Sequence, residues 1–516
     1  MNSKFNIPLI TLFLIAIFGS VIFYLPILNP LHSLGIQDWD QNFAWNEFTR
    51  LSILKYYQFP FWDPFRCGGS AHFANPQMSV VSIQTLLVLL FGAVVGVKFS
   101  IVVHGLLGCI GFYLLSKQYG LSKYAAIIAS IVFSYNGALA SALSTGMVPF
   151  IGIAYAPYVL YFYNKGDSKK WLIVASGLFA ASYYFGYHAV ILLAVYIVIY
   201  SISVSTLEKS LKPIKKLLVF ALLFIIFSAP KLILSLQLLS VFPRYLKDIS
   251  GYHLNHLLYF LLSRKQGLLI NTNREGFSFG IDENSLYVGV IPFILFIIFF
   301  LKNKAGIRKN MPLLVSTVIV ICLMLGSYLP FSLYDALRAL PFFSAFRGAQ
   351  RFRFDFMIPF ALIVGLGFDR LSRVIKKLNY ISLLCTSIAV IVYGDLTAFA
   401  SINFFKPSLI INDNFPRTVH EKTSQYLQIG DYGELSYRPD IIPKSLENTM
   451  MFSPWSLEYI ALQNNISVIN CYDSITKKRY ATGKNSPDYR GEWYMENNSK
   501  KLWDITGVQI LWFLIS

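Results

Sequence analysis

Apolar stretches long enough to cross a bilayer recur along most of this chain, and no other feature constrains its fold so tightly. A helix needs roughly 20 largely apolar residues to span the hydrocarbon core. Candidate spans lie at Ile7 to Leu28, Phe99 to Leu115, Ala125 to Leu143, Pro149 to Tyr163, Trp171 to Tyr184, Ala189 to Ile202 and Leu217 to Leu239. Others lie at Leu286 to Leu301, Pro312 to Leu329, Phe354 to Phe368 and Ile381 to Ala400. Hydrophobic residues make up 55% of the chain and charged residues 14%, too few charges to cover a water-soluble protein of 516 residues. The N-terminal apolar run is too long for a secretory signal and has no small-x-small cleavage pattern, so it reads as a retained first span.

The net charge of +18 is not gathered into one basic domain, which argues against a nucleic-acid partner. Basic residues sit in short clusters between the apolar stretches: Lys4, then Lys117 and Lys123, then Lys165, Lys169 and Lys170, then Lys209, Lys212, Lys215 and Lys216. Lys302, Lys304, Arg308 and Lys309 follow, and finally Arg370, Arg373, Lys376 and Lys377. These clusters mark every second loop, as cytoplasmic loops do. The alternation closes only if the apolar segment Val80 to Val95 does not span, which makes it a re-entrant or interfacial helix. The expected architecture is an all-α polytopic bundle over residues 1–400 in the cytoplasmic membrane. It has about eleven spans, a cytoplasmic N-terminus, and outer loops at 29–78, 241–285 and 331–353. Residues 401–516 read as a small extracytoplasmic α+β tail, rich in turn residues and ending on an apolar strand, so that either its sheet finishes there or the chain is truncated.

The five cysteines show neither a CxxC pair nor metal-ligand spacing. Cys109, Cys322 and Cys385 read as small hydrophobes; Cys67 and Cys471 share the outer compartment, which permits a disulfide between them, although two free thiols are the favoured reading.

The chemistry concentrates in the first outer loop. Asp38, Asp40, Glu47 and Asp63 lie just past the first span among Trp39, Trp45 and Trp62. A carboxylate there can take a proton from an attacking hydroxyl or hold a divalent cation against a phosphate. The plain alternative is a solvated loop with interfacial aromatic anchors. The turn at Pro60 to Pro64 is stiff, and Gly68 and Gly69 let the backbone approach a ligand or a neighbouring helix closely. In the third outer loop Arg347, Arg351 and Arg353 run against the positive-inside bias, so an anion should compensate them. A lipid phosphate fits the bidentate Arg fork; Asp335, Asp355 or headgroups are the plainer partners. Among polar residues within the apolar stretches, His104, Asn136, His188, Lys231 and Gln237 are candidates, although a lone His in a bundle is more often a packing residue.

Taken in order, the aspartate-bearing outer loop, FPFWDPFRCGG…ANPQ, the GYH at Gly186 to His188, SLQLLSVFPR, YVGVIPF, FRGAQRFRF, ISVINCYDS and YRGEWY resemble the bacterial YfhO-type membrane proteins. That family is grouped with the GT-C superfamily of lipid-linked-sugar glycosyltransferases. The resemblance implies a catalytic Asp38 or Asp40, with Asp38 preferred; Arg347, Arg351 and Arg353, read from their charge, would hold the donor phosphate of such an enzyme. It also implies a cleft including Trp39, Glu47, Trp62, Asp63, Gly68, Gly69, Gln77, His104 and His188. The implied partners are a polyprenyl-phosphate sugar donor, an envelope glycan or lipid acceptor, and the bilayer. The sequence leaves open whether a divalent metal such as Mg or Mn takes part. The rival readings are a flippase for a lipid-linked saccharide and a non-catalytic envelope assembly factor.

Overall fold

The computed structural model describes residues 10, 14–28, 38–63, 70–165, 168–241, 251–266, 281–301, 303–340, 343, 346, 348–375 and 381–405. The C-terminal tail expected at 401–516 falls almost wholly outside these residues, as do Cys67 and Cys471. The described cysteines, Cys109, Cys322 and Cys385, are free thiols.

A π-helical turn at Ile15–Gly19 leads into α1 (Ser20–Leu28). The first outer loop is not the polar loop expected from its composition: it forms α2 (Asp38–Leu54). No Gly or Pro interrupts that run, and Trp39 and Phe43, one turn apart, both enter the core. The polar side of α2 is buried as well. Asn46 Oδ1 accepts from Gln84 Nε2 at 3.1 Å, and the Thr49 hydroxyl bonds His72 Nε2 at 2.8 Å. A minimal hairpin of β1 (Trp62–Asp63) and β2 (Ser70–Ala71) follows, pairing Asp63 with Ser70.

Next comes α3 (Ile83–Phe91), opened by a reciprocal Ser82–Thr85 capping box. Its nine residues rise about 14 Å, too short to cross a bilayer, in keeping with the interfacial role expected for that stretch. It folds back on α4 (Ala93–Gln118). The expected span Ala125 to Leu143 is two helices, α5 (Lys123–Ser134) and α6 (Gly137–Ser144). Asn136 breaks it. Its Oδ1 accepts from Leu139 N at 3.1 Å and its Nδ2 donates to Phe133 O at 2.7 Å, so its polarity serves a helix cap. Together the two halves form a span wholly enclosed by the other helices.

A 3-10 stretch, Val148–Tyr155, runs into α7 (Ala156–Asn164), and α8 (Lys169–Phe185), α9 (Tyr187–Glu208) and α10 (Lys212–Val241) follow. After α11 (Leu254–Leu262) and the single turn α12 (Ile281–Asn284) come α13 (Val290–Phe300), α14 (Lys304–Lys309) and α15 (Met311–Leu325). The described chain closes with α16 (Leu333–Arg338), a 3-10 turn at Ala349–Phe352, α17 (Arg353–Ile375) and α18 (Ile381–Asn403).

Among the described residues, six helices are long and apolar enough to cross a membrane, against about eleven spans expected from sequence. The shortfall has local causes. α13 is 11 residues long and α8 is 17, the stretch from Val148 begins in 3-10 geometry, and α17 carries charge at both ends.

The bundle has two unlike ends. At one, Asp369 of α17 accepts from Ser122 N at 2.9 Å, and Lys216 lies 4.8 Å from the Tyr163 ring, among the basic loops. The other end gathers the start of α2, the α8–α9 turn, α12 and the 349–352 turn.

Candidate functional site

Asp38 opens α2 and is held there by backbone. Its N–H donates to Thr145 O at 2.9 Å, while Asn42 Nδ2 donates to Asp38 O at 2.8 Å and to Gly146 O at 2.7 Å. Gly146 adopts φ +85°, and a Cβ on it would fall 2.2 Å from Trp39 N. Only glycine meets both demands, so the α6 terminus can press against the first turn of α2.

Arg351 faces this turn from the far side of the sequence. Its Nε donates to Glu283 Oε2 at 3.1 Å and its Nη2 to Glu283 Oε1 at 2.5 Å, a side-on bidentate pair with both side chains buried. The guanidinium carbon lies 5.3 Å from the Phe150 ring centroid. Phe150 in turn stacks on Phe354 at 4.8 Å and lies 4.8 Å from His188, whose ring neighbours Tyr187 at 4.1 Å. Burial works against the Arg351 charge. The Glu283 carboxylate, with Tyr187 and Asp38 nearby, outweighs it and raises Arg351 above its ordinary range, so it stays protonated at any working pH.

The structure thus brings together Asp38, His188 and Arg351 of the expected site, and adds Glu283, Tyr187 and Phe150. Glu283 corrects the expectation that Asp335 or Asp355 would partner the arginines. Asp335 accepts from the Ser327 hydroxyl at 3.0 Å, and the buried Asp355 carboxylate forms no hydrogen bond among the described residues. The signal for Glu283 was present in the sequence. Unbalanced outer arginines call for an acid, and the preceding outer loop carries two side by side, Asp282 and Glu283, in IDENS.

Other expected members lie elsewhere. Arg353 is fully buried and hydrogen-bonded to Tyr252, whose hydroxyl donates to Asn284 O at 2.6 Å, so it braces α12 from behind. Glu47 pairs with Arg50 at 2.7 Å, about 14 Å along α2 from Asp38. Trp39 is a core residue, Asp63 is buried in the hairpin, Trp62 is half exposed, and the Gln77 N–H bonds Asn75 Oδ1. His104 packs between Tyr155 and Phe185 and bonds Ser100 O through Nδ1 at 2.7 Å, a packing role. Arg347, Gly68, Gly69 and the Asp40 side chain lie outside the described residues. Among the described residues no three His, Cys, Asp or Glu side chains gather into a metal-sized cluster.

Near this end an apolar groove of about 440 Å³ is lined by Phe59, Phe61, Phe73, Val81, Tyr184, Pro230 and Leu234. It adjoins the face of α10, little of which is covered by other helices. Tyr184 lines the groove, and Tyr187, three residues on, acts on Arg351. Three residues of chain span at most about 11 Å.

Two solved membrane proteins share this architecture. The arabinofuranosyltransferase AftD from Mycobacteria superposes with a TM-score of 0.51 at 15% identity, over 81% of this chain and 29% of its own. ArnT from Cupriavidus metallidurans, solved bound to undecaprenyl phosphate, superposes with a TM-score of 0.50 at 10% identity, over 90% of this chain and 87% of its own. This chain therefore spans less than a third of the length of AftD. No known family profile and no curated protein matches the sequence. The fold is of the GT-C type, an all-α polytopic membrane bundle.

Proposed function

We propose that the chain is a YfhO-type GT-C glycosyltransferase that moves a sugar from a polyprenyl-phosphate donor to an envelope glycan or lipid. In this reading the end bearing Asp38 and Arg351 faces outward from the cytoplasmic membrane, and the lysine-rich end faces the cytoplasm. One observation carries it: an acid at the start of α2 stands near a buried, permanently charged arginine. That is the pair a displacement at a sugar phosphate needs.

The acceptor hydroxyl oxygen attacks the anomeric carbon, and Asp38 takes its proton. The bond from that carbon to the phosphate oxygen breaks, and the phosphate leaves with the electron pair. Its charge grows as it leaves, and Arg351 stabilises that growth. A donor's hydrocarbon chain would rest in the Phe59–Leu234 groove, which opens beside the lipid-facing helix α10. ArnT, with its undecaprenyl phosphate, sets a precedent for the donor class on a shared fold.

The test is turnover by purified protein of defined polyprenyl-phosphate sugars, read as release of polyprenyl phosphate. Asp38→Asn should lower turnover by about 10²–10⁴-fold while the protein remains monodisperse. Full turnover by both Asp38→Asn and Asp40→Asn would remove the catalytic assignment.

A further inference from the structure

Arginine carries five N–H donors in one rigid plane. Glu283 takes the Nε donor and one on Nη2. Three donors remain, two on Nη1 and one on the other side of Nη2, and one from each nitrogen forms the roughly parallel end-on fork that matches two phosphate oxygens. Among the described residues no hydrogen bond is recorded for that edge. Because the guanidinium is planar, fixing one edge fixes the other.

We infer that Glu283 is the positioning residue of this site: it locks the plane of Arg351 so that the end-on edge is presented to the phosphate of a lipid-linked sugar. The inference rests on the glycosyltransferase reading above and deepens it by assigning the residue that aims the phosphate fork.

The support beneath Glu283 is built for such a task. α12 is a single turn, and the segment from its last residue onward is fixed. The Tyr252 hydroxyl donates to Asn284 O at 2.6 Å, Gly137 N donates to Tyr287 O at 2.8 Å, and Val288 N donates to Leu261 O at 3.0 Å. A Cβ on Gly137 would meet Tyr287 N at 2.7 Å, so α6 and this segment are in close backbone contact. Ser285, Leu286, Tyr287 and Val288 are all fully buried. The carboxylate therefore sits on rigid ground, the condition under which a supporting side chain can hold a ligand-binding group in place. Below the guanidinium plane, Phe150 limits its remaining freedom.

The experiment is a double-mutant cycle on binding of a polyprenyl monophosphate to detergent-purified, monodisperse protein, using wild type, E283Q, R351Q and the double variant. Glu283→Asp, which keeps the charge but shortens its reach, is a second probe that retains the ion pair. The expected result is a roughly ten- to hundredfold weaker affinity for E283Q. In the R351Q background the same substitution should add nothing, because the two side chains act as one unit. E283D should fall between wild type and E283Q. If E283Q binds like wild type, or its loss adds in full on R351Q, Glu283 does not act through Arg351 and the inference fails while the donor-site reading stands. If R351Q itself binds like wild type, the phosphate assignment of Arg351 fails and takes the inference with it.

Discussion

Lys231 and Arg351 are both buried basic side chains, and they use their hydrogen bonds in opposite ways. The Lys231 ammonium is fully enclosed within α10 and donates to Met78 O at 2.5 Å, Tyr183 O at 3.3 Å and Tyr184 O at 3.5 Å. Lysine has three donors, so every one is committed to backbone. It is a clip that ties the segment after the hairpin to the end of α8. Arg351 gives one edge to Glu283 and keeps the other. A buried charge can serve a ligand only if it has donors left over. By that measure Lys231 is structural and Arg351 is available.

The sharpest way to break the comparison is Arg351→Lys. It keeps a positive charge opposite Glu283 but loses the planar fork. Transfer should fall by about 10²–10³-fold, measured as turnover of a lipid-linked donor, with folding retained. Near-normal turnover would mean that charge alone suffices there.

Lys231→Met should behave in the reverse manner. Three carbonyls lose their donor, which lowers stability by about 1–3 kcal/mol, visible as a lower thermal midpoint in detergent. Turnover per folded molecule should hold. A folded but inactive variant would show that Lys231 belongs to the chemistry. The smallest effect is expected at Arg50→Gln, which removes a partly exposed i, i+3 pair with Glu47. Stability should change by less than about 1 kcal/mol and activity should stay intact. A clear loss of turnover would return Glu47 to the site.

These contrasts also mark how far sequence reasoning reached. Asp38 and Arg351 stood out as candidates because charge at the edge of a membrane is costly and calls for a partner. Arg353 carried the same signal and turned out to brace Tyr252 behind α12. His104 was flagged by the same rule and is held by Ser100 O and two rings. Burial cost identifies that a polar group needs a partner; it does not say whether that partner is a ligand or the protein. Asn136 shows the point at its simplest, since its amide is fully occupied in ending one helix and starting the next.

The sequence by itself determined that this chain is a multi-pass membrane protein, where its long apolar stretches lie and which loops collect the lysines, because hydrophobic length and charge placement are local properties. Tertiary structure decided that 38–54 is a buried helix, because its polar side chains find partners on distant segments, among them Gln84, His72 and Gly146. It also decided that Arg351 pairs with Glu283, a contact 68 positions apart, with one edge left over. Pairing across such a separation depends on how the helices pack, and no local pattern encodes that.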